Sequence, residues 1–375
     1  MNRAILAPAG GRKTQHIVDA CSPSEDKRRL VLTFTRTGQE VVRSRLYARS
    51  RPECYPEVMG WYSFLIQHII KPYLPDRYSG ARVTGLHFVE GQDPSTYRSG
   101  LDRYLDDEGR VYSTRVGKLA VDVLRASGGS AIDRLERLWD EIYIDEVQDL
   151  TGNDLDVVEA LLASSIDITL VGDVRQSIYS TSRSDQKNKQ YSGLEKVIWF
   201  RTLRDRGVCE LTEITDTWRC RQEIVDLADS VLPARLAFPA TMSHESTETG
   251  HDGVFVVSST DVGAYVTQWK PEVYRHSSQT KLPEAINVHV MNFGSVKGVT
   301  VERVLILPTE PIRQLLRRGT PLTDESASKL YVAITRARHS VAFIVDSVVE
   351  YPQPAWVPDR AHATPGRSAG SLDAS

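Results

Sequence analysis

Residues 141–151, EIYIDEVQDLT, constrain the fold of this chain more than any other stretch of the sequence. Residues 142–144 are β-branched or aromatic, and this apolar run is short enough to be a buried strand of a parallel sheet. Asp145 and Glu146 follow directly, where open α/β sheets gather their chemistry beyond the carboxyl ends of the strands. An aspartate there is suited to hold Mg²⁺, and the adjacent glutamate is suited to activate a water molecule. Taken alone, the acidic pair is better explained as the cap of a helix predicted over residues 153–162.

Length and composition limit the classes of protein that fit. The 375 residues are enough for two domains of ordinary size, and the charged (25%) and hydrophobic (41%) fractions are typical of a soluble globular protein. The net charge of −3 excludes a uniformly basic nucleic-acid-binding surface, so any such surface is local. The four cysteines form no CxxC pair and no histidines have zinc spacing, which indicates reduced thiols and a cytoplasmic location. Because the sequence shows no signal peptide and no long apolar segment, we expect no membrane association.

A glycine-containing turn, APAGGRKT at residues 7–14, follows the first predicted strand. A strand, such a turn and then a helix form the arrangement that cradles phosphate groups. Backbone N–H groups face the phosphates, Lys13 reaches the β- and γ-phosphate oxygens, and the hydroxyl of Thr14 joins Mg²⁺. The match is imperfect, because Ala7 replaces the first glycine and Arg12 replaces the glycine before the lysine. A surface turn is the simpler interpretation of this motif alone. The acidic pair Asp145-Glu146 after a later strand favours the phosphate-binding interpretation.

Two further residues near predicted strand ends are candidates for ligand contacts. Gln176 follows the strand predicted over residues 168–171 and is placed to sense a γ-phosphate, although it is also a common turn residue. Phe34 lies near the carboxyl end of the strand predicted over residues 30–35, within the most basic stretch of the chain. An aromatic ring beside arginines is suited to stack on an unpaired base. The alternative is that Phe34 belongs to the core and the arginines face solvent.

Seven motifs in order make the chain resemble the superfamily 1A helicases, the UvrD/Rep/PcrA-like ATPases built from two RecA-like domains. The motifs are APAGGRKT, LTFTRT, IYIDEVQD, LVGDVRQSIY, TDTWRCR, NFGSVKG and YVAITRAR. They run from residue 7 to residue 338, so the resemblance covers nearly the whole chain. DEVQD, GDVRQSIY and VAITRAR are highly specific, and APAGGRKT is the weakest of the seven.

The resemblance implies an α/β fold of two RecA-like P-loop domains, in which parallel sheets are flanked by helices and carry small inserted subdomains. It also implies ATP and Mg²⁺ as cofactors, single-stranded DNA or DNA with single-stranded ends as partner, and movement from 3′ to 5′. Carried over by position, it assigns nucleotide binding to Ala9, Gly10, Gly11, Arg12, Lys13, Thr14, Trp218 and Gly298, the metal to Thr14 and Asp145, catalysis to Lys13, Asp145, Glu146, Gln176, Arg219 and Arg336, and DNA contacts to Phe34 and Tyr179. In the family the aromatic ring at Trp218 stacks on adenine. The two arginines reach the γ-phosphate from the second domain, where they stabilise the charge of the transition state.

The chain departs from the family's pattern at several positions. It begins almost at the P-loop, so the family's upstream glutamine motif for adenine is not found, which leaves the choice among nucleoside triphosphates open. The tryptophan expected soon after Tyr179 is missing, Gly294 stands at the histidine of the fifth motif, and Thr300 stands at a glutamate. Residues 233–285 are too few for the family's large accessory domain. In this the chain resembles the small UvrD-like proteins that accompany nucleases in bacterial and phage defence loci.

We therefore predict three parts of the chain. An N-terminal RecA-like ATP-binding domain spans residues 1–208, with an inserted subdomain at 71–129, and a C-terminal RecA-like domain spans residues 209–346, with a short insertion at 233–285. Residues 347–375 are predicted to be a disordered tail. Within the second domain the patterns predict strands at 254–257, 265–269, 286–291, 301–307 and 340–345, and helices at 222–231 and 329–338.

Three functions fit these residues. The first is a DNA-dependent ATPase that translocates and separates strands, which the complete catalytic set favours. The second is an ATPase switch that senses DNA and licenses a partner nuclease in repair or antiviral defence, which the shortness of residues 233–285 favours. The third is a protein that binds nucleotide without turnover, and it rests on Arg12 alone. No acidic cluster of the PD-(D/E)xK nuclease type is present in the sequence.

Overall fold

Two six-stranded parallel sheets carry the architecture of this chain. The computed structural model describes residues 1–21, 27–48, 55–89, 93, 97–178, 187–280 and 288–358. The sheets confirm the predicted α/β fold of two RecA-like units with helices around them. We refer to the elements up to residue 213 as the first lobe and to those from residue 216 as the second lobe.

The first lobe contains eight strands and eight helices in the described residues. The strands are β1 (Arg3–Leu6), β2 (Arg29–Thr33), β3 (Glu57–Gly60), β4 (Gly85–His87), β5 (Arg110–Tyr112), β6 (Glu141–Ile144), β7 (Asp167–Gly172) and β8 (Glu210–Glu213). The α-helices are α1 (Lys13–Cys21), α2 (Arg36–Tyr47), α3 (Trp61–Phe64), α4 (Lys71–Arg77), α5 (Val116–Ala126), α6 (Ser130–Leu138), α7 (Asn153–Leu162) and α8 (Lys196–Asp205).

The described part of the second lobe contains eight strands and four helices. The strands are β9 (Asp216–Thr217), β10 (Met242–Ser243), β11 (Gly253–Ser258), β12 (Glu272–Arg275), β13 (Val290–Asn292), β14 (Val301–Leu307), β15 (Ala337–Val345) and β16 (Ala355–Trp356). The α-helices are α9 (Gln222–Ser230), α10 (Val262–Trp269), α11 (Glu310–Arg318) and α12 (Asp324–Ile334).

The first sheet has the order β3-β2-β6-β7-β1-β8, and its central strands β2 and β6 are buried on both faces. Side chains alternate between faces along a strand, so Ile142 and Ile144 of β6 join the larger core with α5 and α7. Tyr143 between them joins a smaller core with Val18 of α1 and Val42 of α2. Strands covered on both faces read as continuous apolar runs, which is the pattern that predicted β6.

The second sheet has the order β13-β12-β14-β15-β11-β16 and repeats this arrangement. Ile306 of β14 and Phe343 of β15 face α9, α11 and α12 in one core. Leu305 and Ala342 face α10 on the opposite side of the sheet. All strand pairs within each large sheet are parallel, so the carboxyl ends of each sheet's strands meet at one edge.

Residues 71–129, predicted as an inserted subdomain, contain α4, a two-stranded sheet of β4 and β5, and α5. Leu74, Val111 and Leu119 are buried in the same core as β6. In the described residues this segment therefore packs into the first lobe and shares its core.

The predicted elements differ from the structure in the second lobe. Residues 265–269 were predicted as a strand but end helix α10, whose Val262, Tyr265, Val266 and Trp269 follow the helical spacing of three and four residues. The helix predicted over residues 329–338 ends at Ile334, and β15 begins at Ala337. The strand predicted over 286–291 is observed as β13, and residues 281–287 lie outside the described part of the chain.

The predicted boundaries at residues 208 and 347 also differ from the observed elements. Strand β8 pairs with β1, so the first sheet continues beyond residue 208. Strand β16 pairs with β11, so residues 355–356 extend the second sheet where a disordered tail was predicted. Residues 359–375 lie outside the described residues. Among the residues that the structure describes, no helix has both the length and the apolar character required to cross a membrane.

Candidate active site

Most of the predicted site residues line one cleft between the two lobes, whereas Ala9, Gly11 and Trp218 do not. The cleft has a volume of about 1080 Å³ and lies at the carboxyl edge of the first sheet. Its lining includes the predicted residues Gly10, Arg12, Lys13, Thr14, Phe34, Asp145, Glu146, Gln176, Arg219, Gly298 and Arg336. The loops after β1, β6 and β7 therefore face residues of the second lobe across a single space.

The P-loop, residues 7–12 between β1 and α1, forms a tight turn in contact with the second lobe. Gly11 N donates to Pro8 O at 2.9 Å, and Gly10 has a φ of 79°, in the region that favours glycine. A Cβ atom on Gly10 would lie 2.5 Å from both Arg219 Cβ and Thr217 Oγ1. Glycine at this position therefore allows the segment after β8 to pack directly on the P-loop.

Lys13 is nearly buried and points back along the P-loop. Its Nζ donates to Ala7 O at 3.2 Å and Pro8 O at 3.0 Å, and it lies 3.8 Å from Asp173 Oδ2. Burial lowers the pKa of Lys13, and the charges of Asp173 and Glu146 oppose that effect. The ammonium is thus held at the cradle by groups that a phosphate would replace.

The acidic pair follows β6 in a strained turn. Glu146 has a φ of 53°, which is unusual for a residue with a side chain, and its N–H donates to Asp145 Oδ1 at 2.9 Å. Burial and the neighbouring Glu146 raise the pKa of Asp145. Burial acts to raise the pKa of Glu146 too, but the charges of Lys297 and Lys13 lower it overall. The charges of Lys297 and Lys13 therefore favour the carboxylate form of Glu146.

Asp145 and Thr14 fit a magnesium ion. Both offer oxygen ligands to the cleft, and Mg²⁺ is commonly held by one or two protein ligands together with substrate phosphates and water. Within the described residues, no group of three or more His, Cys, Asp and Glu side chains has metal-binding geometry. Mg²⁺ at Asp145 and Thr14 would take its remaining ligands from the phosphates of a nucleotide and from water.

Lys297 bridges the lobes at the turn after β6, residues 145–149, which we call the acidic loop. The sequence analysis did not identify Lys297 as a site residue. It lies in the turn between β13 and β14, and its Nζ is 2.7 Å from Asp149 Oδ2 and 3.2 Å from Glu146 Oε2. Gln148 Nε2 also donates to Glu146 Oε2. The lysine beside Gly298 in NFGSVKG was the available signal, but its partners lie about 150 residues earlier in the chain.

Gln176 and Arg336 connect the lobes by a hydrogen bond. Arg336 Nη2 donates to Gln176 Oε1 at 3.1 Å, and Gln176 Nε2 donates to Asp173 Oδ2 at 2.6 Å. Arg336 is 1% exposed, and burial lowers its pKa to about 10, which leaves it charged at neutral pH. Arg219 Nη1 donates to Thr335 O at 3.3 Å, so both arginines are anchored at the end of α12.

Trp218 contacts the P-loop from outside the cleft lining. The backbone N–H of Trp218 donates to Gly10 O at 3.3 Å, while Thr217 Oγ1 donates to Ala9 O at 2.6 Å. The Arg12 guanidinium carbon lies 4.0 Å from the centre of the Trp218 ring. His244 stacks on the same ring with centroids 4.8 Å apart.

The two predicted DNA contacts have different outcomes. Phe34 lines the cleft but also packs against the core, with its ring 5.8 Å from that of Tyr62. Tyr179 lies outside the described residues. Part of the basic stretch around Phe34 is engaged by carboxylates, because Arg28 pairs with Asp140 and Arg29 pairs with Glu141.

The two lobes and this cleft define a P-loop NTPase-like protein of the two-lobe RecA-like class. Residues 105–192 match the family model described as "UvrD/REP helicase N-terminal domain", so the predicted resemblance to UvrD/Rep-like helicases is confirmed. The matched region contains β6, the acidic loop and β7. No curated protein matches the chain.

Solved structures of viral helicases are similar to the chain at low identity. The PRRSV helicase is 16% identical with a TM-score of 0.39, over 92% of this chain and 52% of that one. The arterivirus nonstructural protein 10 (helicase) in complex with DNA is 14% identical with a TM-score of 0.45, over 92% of this chain and 61% of that one. The crystal structure of the arterivirus nonstructural protein 10 (helicase) is 14% identical with a TM-score of 0.45, over 92% of this chain and 59% of that one. This chain spans between about half and three fifths of the length of these proteins.

Proposed function

We propose that the protein is a DNA helicase or translocase of the UvrD-like type, which hydrolyses ATP with Mg²⁺, is stimulated by single-stranded DNA and moves from 3′ to 5′. The observation that carries the proposal is the convergence of Lys13, Glu146 and Gln176 of the first lobe with Arg219 and Arg336 of the second on one cleft. Phosphoryl transfer needs such a set, because catalysis consists mainly of positioning and charge stabilisation.

In this proposal the P-loop and Lys13 bind the phosphates. Thr14 and Asp145 would hold Mg²⁺, which would supply neutralisation of the phosphate charge. Glu146 accepts a proton from the attacking water. Its carboxylate is already oriented by Gln148 and by Lys297, at 3.2 Å. A base whose rotamer is fixed in advance loses less entropy in the transition state.

Arg219 and Arg336 stabilise the charge that develops on the γ-phosphoryl oxygens. A γ-phosphate entering between Gln176 and Arg336 would take the place of their 3.1 Å hydrogen bond. Binding and loss of that phosphate would thus change a contact between the lobes, which is the kind of change that drives closure and opening.

The test compares the wild type with Lys13→Ala, Glu146→Gln and Arg336→Ala in an ATPase assay with and without single-stranded DNA. We expect DNA to stimulate the wild type and Lys13→Ala to lose both binding and turnover. Glu146→Gln should lower turnover by about 10²-fold or more while still binding ATP. Arg336→Ala should lower turnover by about 10³–10⁵-fold, because arginine fingers act on the transition state. Glu350→Gln, at an exposed pair with Arg317, is the matched control. Unchanged turnover in all three variants would refute the site.

A second candidate function is a DNA-sensing ATPase switch that regulates a partner nuclease in DNA repair or antiviral defence in the cytoplasm. The observation that favours it is the content of residues 233–280: β10, β11, α10 and β12, of which β11 and β12 belong to the second sheet itself. A switch of this kind would hydrolyse ATP on binding DNA but separate strands poorly. An assay of strand separation, described below, distinguishes the two functions.

A further inference from the structure

Both faces of the Trp218 ring are covered by side chains of the protein itself. The guanidinium of Arg12 lies 4.0 Å from the ring centre, and the ring of His244 stacks with centroids 4.8 Å apart and planes 15° apart. Two planar groups so close to one ring centre do not fit side by side on one face, so they occupy opposite faces. Asp216 Oδ1 lies 2.6 Å from His244 Nε2, and this hydrogen bond fixes the imidazole on the ring. Trp218 as a whole is 37% exposed, but a nucleobase cannot stack over the centre of its ring without displacing Arg12 or His244.

Arg12 holds its position at a conformational cost. Its φ of 56° lies in the left-handed region, which non-glycine residues rarely adopt because it is strained for a residue with a side chain. Cation–π contact with Trp218 compensates part of that cost. Among the described residues the guanidinium has no hydrogen bond or ion pair, and Arg12 lines the cleft whereas Trp218 does not. The strained residue thus offers a planar group with uncommitted donors to the cleft.

We propose that the nucleobase of the bound triphosphate stacks on the guanidinium of Arg12, held over Trp218, and that the site consequently accepts purine and pyrimidine triphosphates alike. This inference rests on the proposed nucleotide site and refines its substrate class. Arg12 adjoins Lys13, so the group that meets the base follows directly from the loop that would hold the phosphates.

The chemistry of arginine explains the lack of base preference. A guanidinium is planar and stacks on π-faces, which every base presents. When it stacks on a base, its N–H donors lie parallel to the plane of that base and do not reach the edge atoms that distinguish one base from another. Selection of adenine requires a group that both donates and accepts, such as an amide. Arg12 therefore adds affinity for the nucleoside without selecting among bases.

The test measures dissociation constants of the full chain for ATP, GTP, CTP, UTP and inorganic tripolyphosphate, each with Mg²⁺, by titration calorimetry. For the wild type we expect the four nucleotides to bind within roughly tenfold of one another and all more tightly than tripolyphosphate. Arg12→Gly keeps the backbone conformation and exposes the indole. It should raise the preference for purines over pyrimidines about tenfold, because the larger ring overlaps the indole more, and leave tripolyphosphate binding unchanged.

Two further variants separate the possible explanations. Trp218→Ala removes the support of Arg12 and should weaken the four nucleotides alike without affecting tripolyphosphate. Arg45→Ala removes another arginine of the cleft lining and should leave the ratios among the four nucleotides unchanged. Discrimination for ATP by more than about a hundredfold in the wild type would overturn the inference. A uniform change for all five ligands in Arg12→Gly would overturn it too. If the wild type binds none of the five, or Lys13→Ala binds tripolyphosphate as well as the wild type does, the proposed nucleotide site itself fails.

Discussion

The side chain of Lys196 has no exposed surface, and it hydrogen-bonds to the backbone of the acidic loop. Its Nζ donates to Gln148 O at 2.7 Å and to Leu150 O, the carbonyls that follow Glu146 in the same turn. Burial lowers the pKa of Lys196 to about 7. We regard Lys196 as a positioning residue for this loop, because it binds the backbone and lies behind the carboxylates.

The lowered pKa of Lys196 predicts a pH dependence of stability. In the unfolded chain lysine titrates near 10.4, so between pH 7 and 10 the unfolded state binds more protons than the folded state. The free energy of unfolding should therefore rise with pH across this window, by up to about 1.4 kcal/mol per pH unit from this residue. Below pH 7 both states are protonated and the contribution is constant.

The measurement is the difference in unfolding free energy between the wild type and Lys196→Met, from urea titrations at several pH values. The wild type should gain on the variant as the pH increases from 7 to 10. Lys71→Met, at an exposed position in α4, is the control and should show no such trend. A difference for Lys196→Met that is independent of pH would show that the lysine stays charged in the folded protein.

At the scale of an element, the end of β7 fixes the position of the acidic loop. A Cβ atom on Gly172 would lie 2.5 Å from Gln148 Oε1 and 2.9 Å from Val147 Cγ1. Gln148 Oε1 in turn accepts from Asp173 N at 2.9 Å, so strand and loop share a direct contact.

We predict that Gly172→Ala lowers the unfolding free energy by about 1–3 kcal/mol, the usual cost of overpacking, and also lowers ATP turnover. The matched control is Gly263→Ala in α10, where no heavy atom lies within 4 Å of the new Cβ. Alanine should stabilise that helix by about 0.5–1 kcal/mol. Thermal or urea unfolding measures both variants, and equal stabilities for the two would contradict the close contact at Gly172.

Elements of the sheets were predictable where local pattern and burial agree. The helix predicted over residues 153–162 and the strand predicted over 301–307 have the observed bounds, because each contains a run of apolar residues that is buried in the fold. Helix α10 was not predicted as a helix, since Tyr265 and Val266 favour strands locally and only the spacing to Val262 and Trp269 reveals a helical face. Strand β16 has two residues and owes its conformation to pairing with β11.

At the scale of the whole molecule, the cleft was predictable and its internal contacts were not. Parallel strands place their carboxyl ends together, so motifs following β1, β6 and β7 had to meet. The Lys297 bridge and the covered ring of Trp218 depend on how the two lobes face each other. No local pattern in the chain encodes that arrangement. From the sequence alone, Arg12 was interpreted only as a departure from the P-loop pattern.

The Lys297 bridge should make the two lobes energetically dependent. Removing one member of a buried ion pair typically costs about 3–5 kcal/mol, so Lys297→Met should destabilise strongly, and Asp149→Asn should recover part of the loss in the double variant. ATP turnover should fall more than ATP binding, because Glu146 loses a contact that orients it. A thermodynamic cycle of the single and double variants measures the coupling. Lys329→Met, at a surface pair with Glu325, should cost less than about 1 kcal/mol. Additive effects of Lys297→Met and Asp149→Asn would mean that the bridge carries no coupling.

Separation of DNA strands also depends on the structure of the whole molecule. Each base-pair step costs roughly 1.4 kcal/mol of stacking to melt, so a motor needs a structure that holds the duplex ahead of it. Residues 233–280 are occupied largely by elements of the second sheet, so we expect robust ATPase activity with poor unwinding by the isolated chain. A fluorescence assay on 3′-tailed duplexes of increasing length tests this. Processive unwinding of long duplexes would favour the helicase over the switch.

The contact between the P-loop and the second lobe has a consequence for the newly made chain. Ala9 N donates to Tyr331 OH at 3.3 Å, and Ala9 O accepts from Thr217, so the P-loop near the start of the sequence is completed by residues more than 200 positions later. A ribosome that has released only the first lobe has therefore not yet produced this arrangement of the P-loop. If the cleft binds nucleotide as proposed, chains that terminate before Tyr331 should bind and hydrolyse it poorly, because this contact with the P-loop is missing.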